Sequence, residues 1–130
     1  MSVYSDVLDA VISLANQTDP YTPVIVGALP PDNGISMAWA SGTLNTFWDK
    51  RAAVNMSIVL NAKHADQQTA LIALSAIHTA LNMTKMYPTA DNFQITNIET
   101  ISAPSYIGRE ENKQWLYGSS LSVKFFLKGV

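Results

Sequence analysis

Between Arg51 and Lys63 the chain alternates apolar and polar side chains with a persistence that only an extended strand accommodates. Val54, Met56, Ile58, Leu60 and Ala62 fall on one side; Asn55, Ser57, Asn61 and Lys63 fall on the other, with Val59 as the apolar intruder. A period of two sends successive side chains to opposite faces of a pleated strand. At about 3.3 Å per residue this segment would reach roughly 40 Å, twice the length of an ordinary strand. The C-terminal stretch repeats the pattern. Trp115, Tyr117, Leu121, Val123, Phe125 and Leu127 are expected to face inward, and Gly118, Ser120, Ser122, Lys124 and Lys128 outward.

Two helices frame these strands. Val3, Val7, Val11 and Leu14, joined by Tyr4, Leu8, Ile12 and Ala15, have the spacing of one amphipathic helix, which "NQTDPYTP" then ends. A second is predicted from Asp66, a good N-cap, to Met83, with Leu71, Leu74, Ile77, His78 and Leu81 as its apolar stripe and Pro88 as its outer limit. Alanines at 70, 73, 76 and 80 would let it approach a sheet closely. Val24–Leu29 and the Ile35, Met37, Trp39 alternation read as two strands around an Asn33-Gly34 hairpin turn, followed by a loop, "SGTLNTFWDK". "DNFQITNIETISAP" reads as a strand whose phase slips: Phe93, Ile95 and Ile101 share a face and Ile98 takes the other, so a bulge is expected near Asn97. The order helix, strands, helix, strands predicts an α+β fold over residues 1–130, a single domain with an antiparallel β-sheet and two helices packed on one face.

Composition removes several function classes. Charged residues are only 14% of the chain, against roughly a quarter in an average domain. Ser, Thr, Asn, Gln and Ala cover the surface instead, and such a surface is easily desolvated in protein contact. With 8 basic and 10 acidic residues and no basic block, specific nucleic-acid binding is not expected. No apolar run approaches the roughly 20 residues that cross a bilayer, and the first residues do not read as a signal peptide, so no membrane partner is expected. The absence of cysteine excludes disulfides and thiolate sites.

Candidate chemistry fails on pattern. Ser57, His64 and Asp66 suggest a hydrolase triad, but Ser57 lies on a strand's outer face without a nucleophile elbow. His78 reads as a packed, hydrogen-bonded histidine at the helix–sheet boundary, with no second ligand three or four places away. Glu110 and Glu111 adjoin Arg109 and Lys113 and read as a solvated turn rather than an acid–base pair. The six glycines never approach phosphate-loop spacing. No catalytic residue, metal ligand or cofactor site is predicted, so no enzyme. Trp39 and Trp115 are in phase with the core; Trp48, beside Phe47, is either a plug over the core's edge or part of a contact patch.

The segments "ADQQTALIALSAIHTAL" and "FQITNIETISAPSYIGREENKQWLYGSSLSVKFF" carry a resemblance. Ala103-Pro104-Ser105, Ile107-Gly108, Glu110-Glu111-Asn112 and the aromatic start Trp115-Leu116-Tyr117 resemble the ending of the tail-terminator and minor-capsid (tail completion) proteins of long-tailed bacteriophages. The resemblance covers the C-terminal half, and the first half by element order. It implies a non-enzymatic structural subunit of the virion, made in the bacterial host cytoplasm. Its partners would be copies of itself, usually in a hexameric ring, together with the tail tube that the ring terminates and the head-completion proteins it joins.

Under that implication the turn from Pro104 to Gln114 becomes a contact loop. Arg109, Glu110, Glu111 and Lys113 would form intersubunit ion pairs, and Phe47, Trp48, Tyr106 and Ile107 would anchor the interface, with Leu116 and Phe126 as further candidates. Another head–tail neck or capsid accessory protein is an alternative. So is a small-ligand-binding α+β domain, which would need inward polar groups around a cavity.

Overall fold

The alternating segment becomes a strand, Ala52–His64, at the centre of a sheet. In the computed structural model, which describes residues 3–46, 52–82, 87, 89–111 and 113–127, the elements run α1 (Val3–Asn16), β1 (Val24–Val26), β2 (Gly34–Thr46), β3 (Ala52–His64), α2 (Gln67–Asn82), β4 (Phe93–Arg109) and β5 (Trp115–Leu127). Among the described residues the sheet order is β1-β2-β3-β5-β4. All neighbours are antiparallel except β1 and β2. The fold is α+β.

Both helices and one face of the sheet feed a single buried cluster. Val7, Val11 and Ala15 enter from α1, Leu74, Ile77 and Leu81 from α2, and Ile58, Leu60, Leu121, Val123 and Phe125 from the central strands. Each fully buried Leu, Ile or Phe stabilises the fold by about 1.5–3 kcal/mol relative to exposure. Ala70 and Ala73 are buried where α2 meets the sheet. Asp66 stands directly before α2, in the N-cap position expected of it; its carbonyl accepts the Ala70 N–H at 3.4 Å and its carboxylate the Thr69 hydroxyl at 2.6 Å.

Four expectations fail for local reasons. First, Asn33-Gly34 is not a hairpin turn. β1 runs parallel to β2, with Val24 opposite Ile35 and Val26 opposite Met37. The link between them holds two prolines and brings the chain back to the level where β1 began. Asn33 does take the positive φ expected of it, 43°, but as the last residue of that link. The Pro30 ring packs against Gly34 so closely that a Cβ there would collide with it.

Second, residues 41–46 of the expected loop continue β2, as far as Thr46 opposite Ala52. Third, the bulge near Asn97 exists, between Ile95 and Asn97, and it reverses the assignment that follows. Ile98 returns to the core with Phe93 and Ile95, whereas Ile101 is 55% exposed. Fourth, Pro104 to Arg109 is strand rather than loop, so β4 extends through it and the turn shrinks to Glu110–Gln114. Lys63 is on the outer face as expected, yet it is only 5% exposed.

Candidate subunit interface

The far half of β4 lies on the border of the sheet and, among the described residues, pairs only with β5. From Ile101 to Arg109 nearly every residue is exposed, including Tyr106 at 53% and Ile107 at 56%. Large apolar side chains left in water on a sheet border mark a contact surface when they gather. Ile25 and Val26 on β1, at the opposite border, are also exposed.

Two faces of this strand end are built differently. Tyr106 stands opposite Tyr117, and its ring lies 5.9 Å from those of both Trp115 and Tyr117. The Arg109 guanidinium sits 5.0 Å over the Trp115 ring, a cation–π contact worth about 0.5–1 kcal/mol at an exposed site. Trp115 is therefore half-buried, packed against the core as expected and covered on its outer side by Tyr106 and Arg109. Ile107 turns the other way. Its Cδ1 lies over Gly118 so closely that a Cβ there would strike it, and the same Cβ would crowd the Asn61 Oδ1.

The turn itself is tied down. The Glu110 N–H donates to the Gln114 carbonyl at 2.9 Å, and the Lys113 N–H to the Glu110 carbonyl at 2.9 Å. Lys113 closes the turn at φ 65°. The Lys63 Nζ meets the Glu110 Oε1 at 2.8 Å, with side-chain exposures of 7% and 42%. The Asn33 N–H donates to the Gln114 Oε1 at 2.8 Å, and the Ala65 N–H to the Asn33 Oδ1 at 3.2 Å. Tyr21 holds the same corner, its hydroxyl 2.9 Å from the Gly34 carbonyl and 2.7 Å from that of Lys63. Burial of that phenol pushes its pKa up to about 12.

The structure thus brings Tyr106, Ile107, Arg109, Glu110, Glu111 and Lys113 together at one corner of the sheet. Phe47 and Trp48 lie outside the described residues, as do Asn112 and Lys128. Lys63 is the residue that sequence reasoning missed. Its place at the end of an alternating strand announces an outward side chain, and nothing in the sequence links it to a carboxylate 47 positions on. Glu110, expected to be balanced by its sequence neighbours, meets Lys63 instead.

The candidate triad does not assemble. The His64 Nδ1 accepts the Asp66 N–H at 2.9 Å and its ring packs on Tyr21, while the Asp66 carboxylate takes the Thr69 hydroxyl. Ser57 faces Ser122 across the sheet. Among the described residues no group of three His, Asp or Glu is placed to hold a metal ion, and no helix is long and apolar enough to cross a membrane.

No family model matches the chain, and no curated protein matches it. Among solved structures, a chain described as "Virion of native gene transfer agent (GTA) particle" superimposes with a TM-score of 0.61 at 16% identity, over 91% of this chain and 92% of that one. At that identity the two chains have a fold in common.

Proposed function

We propose that this protein is a non-enzymatic structural subunit of a phage-like virion, packing head-to-tail with copies of itself into a ring that terminates the tail tube and joins it to the head. The observation that carries the reading is the fold shared with a chain of a gene transfer agent virion, spanning nearly the whole of both. The resemblance of the β4–β5 ending to tail-terminator proteins supports the proposed place at the end of the tail.

The distribution of exposed apolar residues supports the ring. A head-to-tail assembly needs two different complementary surfaces on one chain. Here Ile25 and Val26 occupy one border of the sheet, and Ile101, Tyr106 and Ile107 the other. The β4 ladder slips at four places and carries Pro104, so contact at this border works through side chains rather than by adding another strand.

Size-exclusion chromatography with light scattering and negative-stain microscopy test the proposal. The expected result is closed rings, hexameric by the resemblance, alone or on tail tubes. A strict monomer at every concentration, with and without tubes, would overturn it.

A further inference from the structure

We infer that the last turn of α2 is a clasp on the border strand β4, released when His78 takes up a proton, so that acidification loosens the strand beyond Thr100 while the core stays folded. The clasp belongs to the fold of one chain and does not depend on the ring.

Asn82 makes the closure. Its Oδ1 accepts the Thr100 N–H at 3.0 Å, and its Nδ2 donates to the Thr100 hydroxyl at 2.6 Å and to the His78 carbonyl at 2.8 Å. A helix side chain thereby covers one residue of an otherwise open strand border. Thr100 is where such cover matters most. It ends the stretch of β4 that stays in step with β5, and of residues 101–104 only Ser102 has a partner in the ladder.

His78 decides whether the clasp holds. It is 4% exposed, with Nδ1 2.8 Å from the Thr100 hydroxyl and Nε2 2.7 Å from that of Ser119. Ser119 donates its proton to the Leu60 carbonyl, so the neutral ring donates at Nε2 and accepts from Thr100 at Nδ1. Protonation turns that acceptor into a donor. The Thr100 oxygen then faces two donors, Nδ1 and the Asn82 amide, and its own proton has lost its acceptor.

The new charge is also buried without a counter-ion, which is costly. α2 carries no Asp, Glu, Lys or Arg. On β3, Lys63 is engaged with Glu110 and His64 with the Asp66 N–H. On β4, Glu99 is exposed and takes the Asn97 amide, and Arg109 lies over Trp115. On β5, Lys124 is exposed and the Tyr117 hydroxyl holds the Gln67 amide. On α1, Asp6 meets Asn92 and Asp9 is exposed.

Relief comes from opening to water, and β4 is the wall that yields. Leu60 and Ser119 lie on central strands paired on both sides, whereas β4 is at the border and slips directly after Thr100. Burial lowers the proton affinity of His78 while the clasp is closed. Once open, the ring titrates near the ordinary value of about 6.5, so at about pH 5 the opening equilibrium rises by up to about thirtyfold.

Hydrogen–deuterium exchange from about pH 7.5 to about pH 5, corrected for intrinsic chemistry, tests the clasp. In the wild type the β4 amides from Ser102 to Gly108 should exchange at least threefold faster at the lower pH. That rate should not respond to low urea, the mark of a local opening. No acid response, or a rate that rises with urea in parallel with the core amides of β3, overturns the inference. His78→Gln should flatten the pH dependence, and His64→Gln, at the chain's other histidine, should preserve it. A wild-type profile in His78→Gln, or a flat one in His64→Gln, overturns His78 as the trigger. Asn82→Ala should loosen the same amides at neutral pH, and wild-type protection there overturns the clasp. Should His78→Gln fail to fold, the ring titration of His78 followed by NMR in the wild type decides. Its midpoint must coincide with that of the exchange change, and a mismatch overturns the link.

Discussion

The Nε2 of His78 stands 2.7 Å from the Oγ of Ser119, which itself donates to the Leu60 carbonyl at 3.1 Å. Because the serine proton is committed to Leu60, the imidazole is the donor at Nε2 and an acceptor at Nδ1, where the Thr100 hydroxyl lies at 2.8 Å. The Asn82 Nδ2 donates to that hydroxyl at 2.6 Å. One neutral tautomer satisfies the whole chain from α2 to β3. The histidine expected at the helix–sheet boundary is there, buried and hydrogen-bonded through both ring nitrogens.

Burial holds the pKa of His78 below its ordinary value of about 6.5. The unfolded chain therefore takes the proton first on acidification, so the contribution of His78 to stability is complete above pH 6.5 or so and is lost as pH falls towards its folded pKa. Thermal midpoints measured from pH 8 to pH 5 should fall more steeply for the wild type than for His78→Gln. Parallel profiles would remove His78 as the cause.

Leu74 on α2 is fully buried between that helix and the sheet. Leu74→Ala should cost about 2–5 kcal/mol in chemical denaturation through lost burial and a residual cavity, and association should weaken only in step with unfolding.

Gly118 and Ile107 offer the reverse separation. A Cβ at Gly118 meets the ends of two side chains, Ile107 and Asn61, rather than backbone. Gly118→Ala should therefore change stability by less than about 1 kcal/mol, since only side-chain rotamers must shift, yet displace Ile107 from its seat. Self-association by light scattering should fall for Gly118→Ala and for Ile107→Ser alike. Unaltered association in both would take Ile107 out of the interface.

Arg109→Glu removes the cation–π contact with Trp115 and puts a third acid beside Glu110 and Glu111. The stability change should stay within about 1 kcal/mol, as for other exposed charges, while ring formation weakens markedly. A large drop in midpoint with normal rings would make Arg109 a folding residue.

Much of the fold was legible because period carries through to burial. The alternation from Val54 to Ala62 and from Tyr117 to Phe125 becomes the two central strands almost residue for residue, and the Leu74, Ile77, Leu81 stripe becomes the buried face of α2. The failures occur where a local signal meets a longer-range constraint. Asn33-Gly34 has turn chemistry, but the prolines at 30 and 31 make the turn the end of a longer link. The slip near Asn97 was visible, yet its effect depends on which residue the ladder skips, and that decides whether Ile98 or Ile101 goes inside. At the candidate corner, exposed Tyr106 and Ile107 were readable from their setting among turn formers. The Lys63–Glu110 pair was not, because β3 and the turn meet only once β5 has been laid between them.

The slipped ladder of β4 has a consequence for how selective this border is. Its longest stretch in step with β5 is Asn97–Thr100, too short to template a straight foreign strand. Unrelated extended peptides therefore find little to zip onto, and crowding does not turn the border into a seed for fibres. In the proposed ring, recognition would pass instead to the shapes of a few protruding side chains, which a sister molecule would have to match.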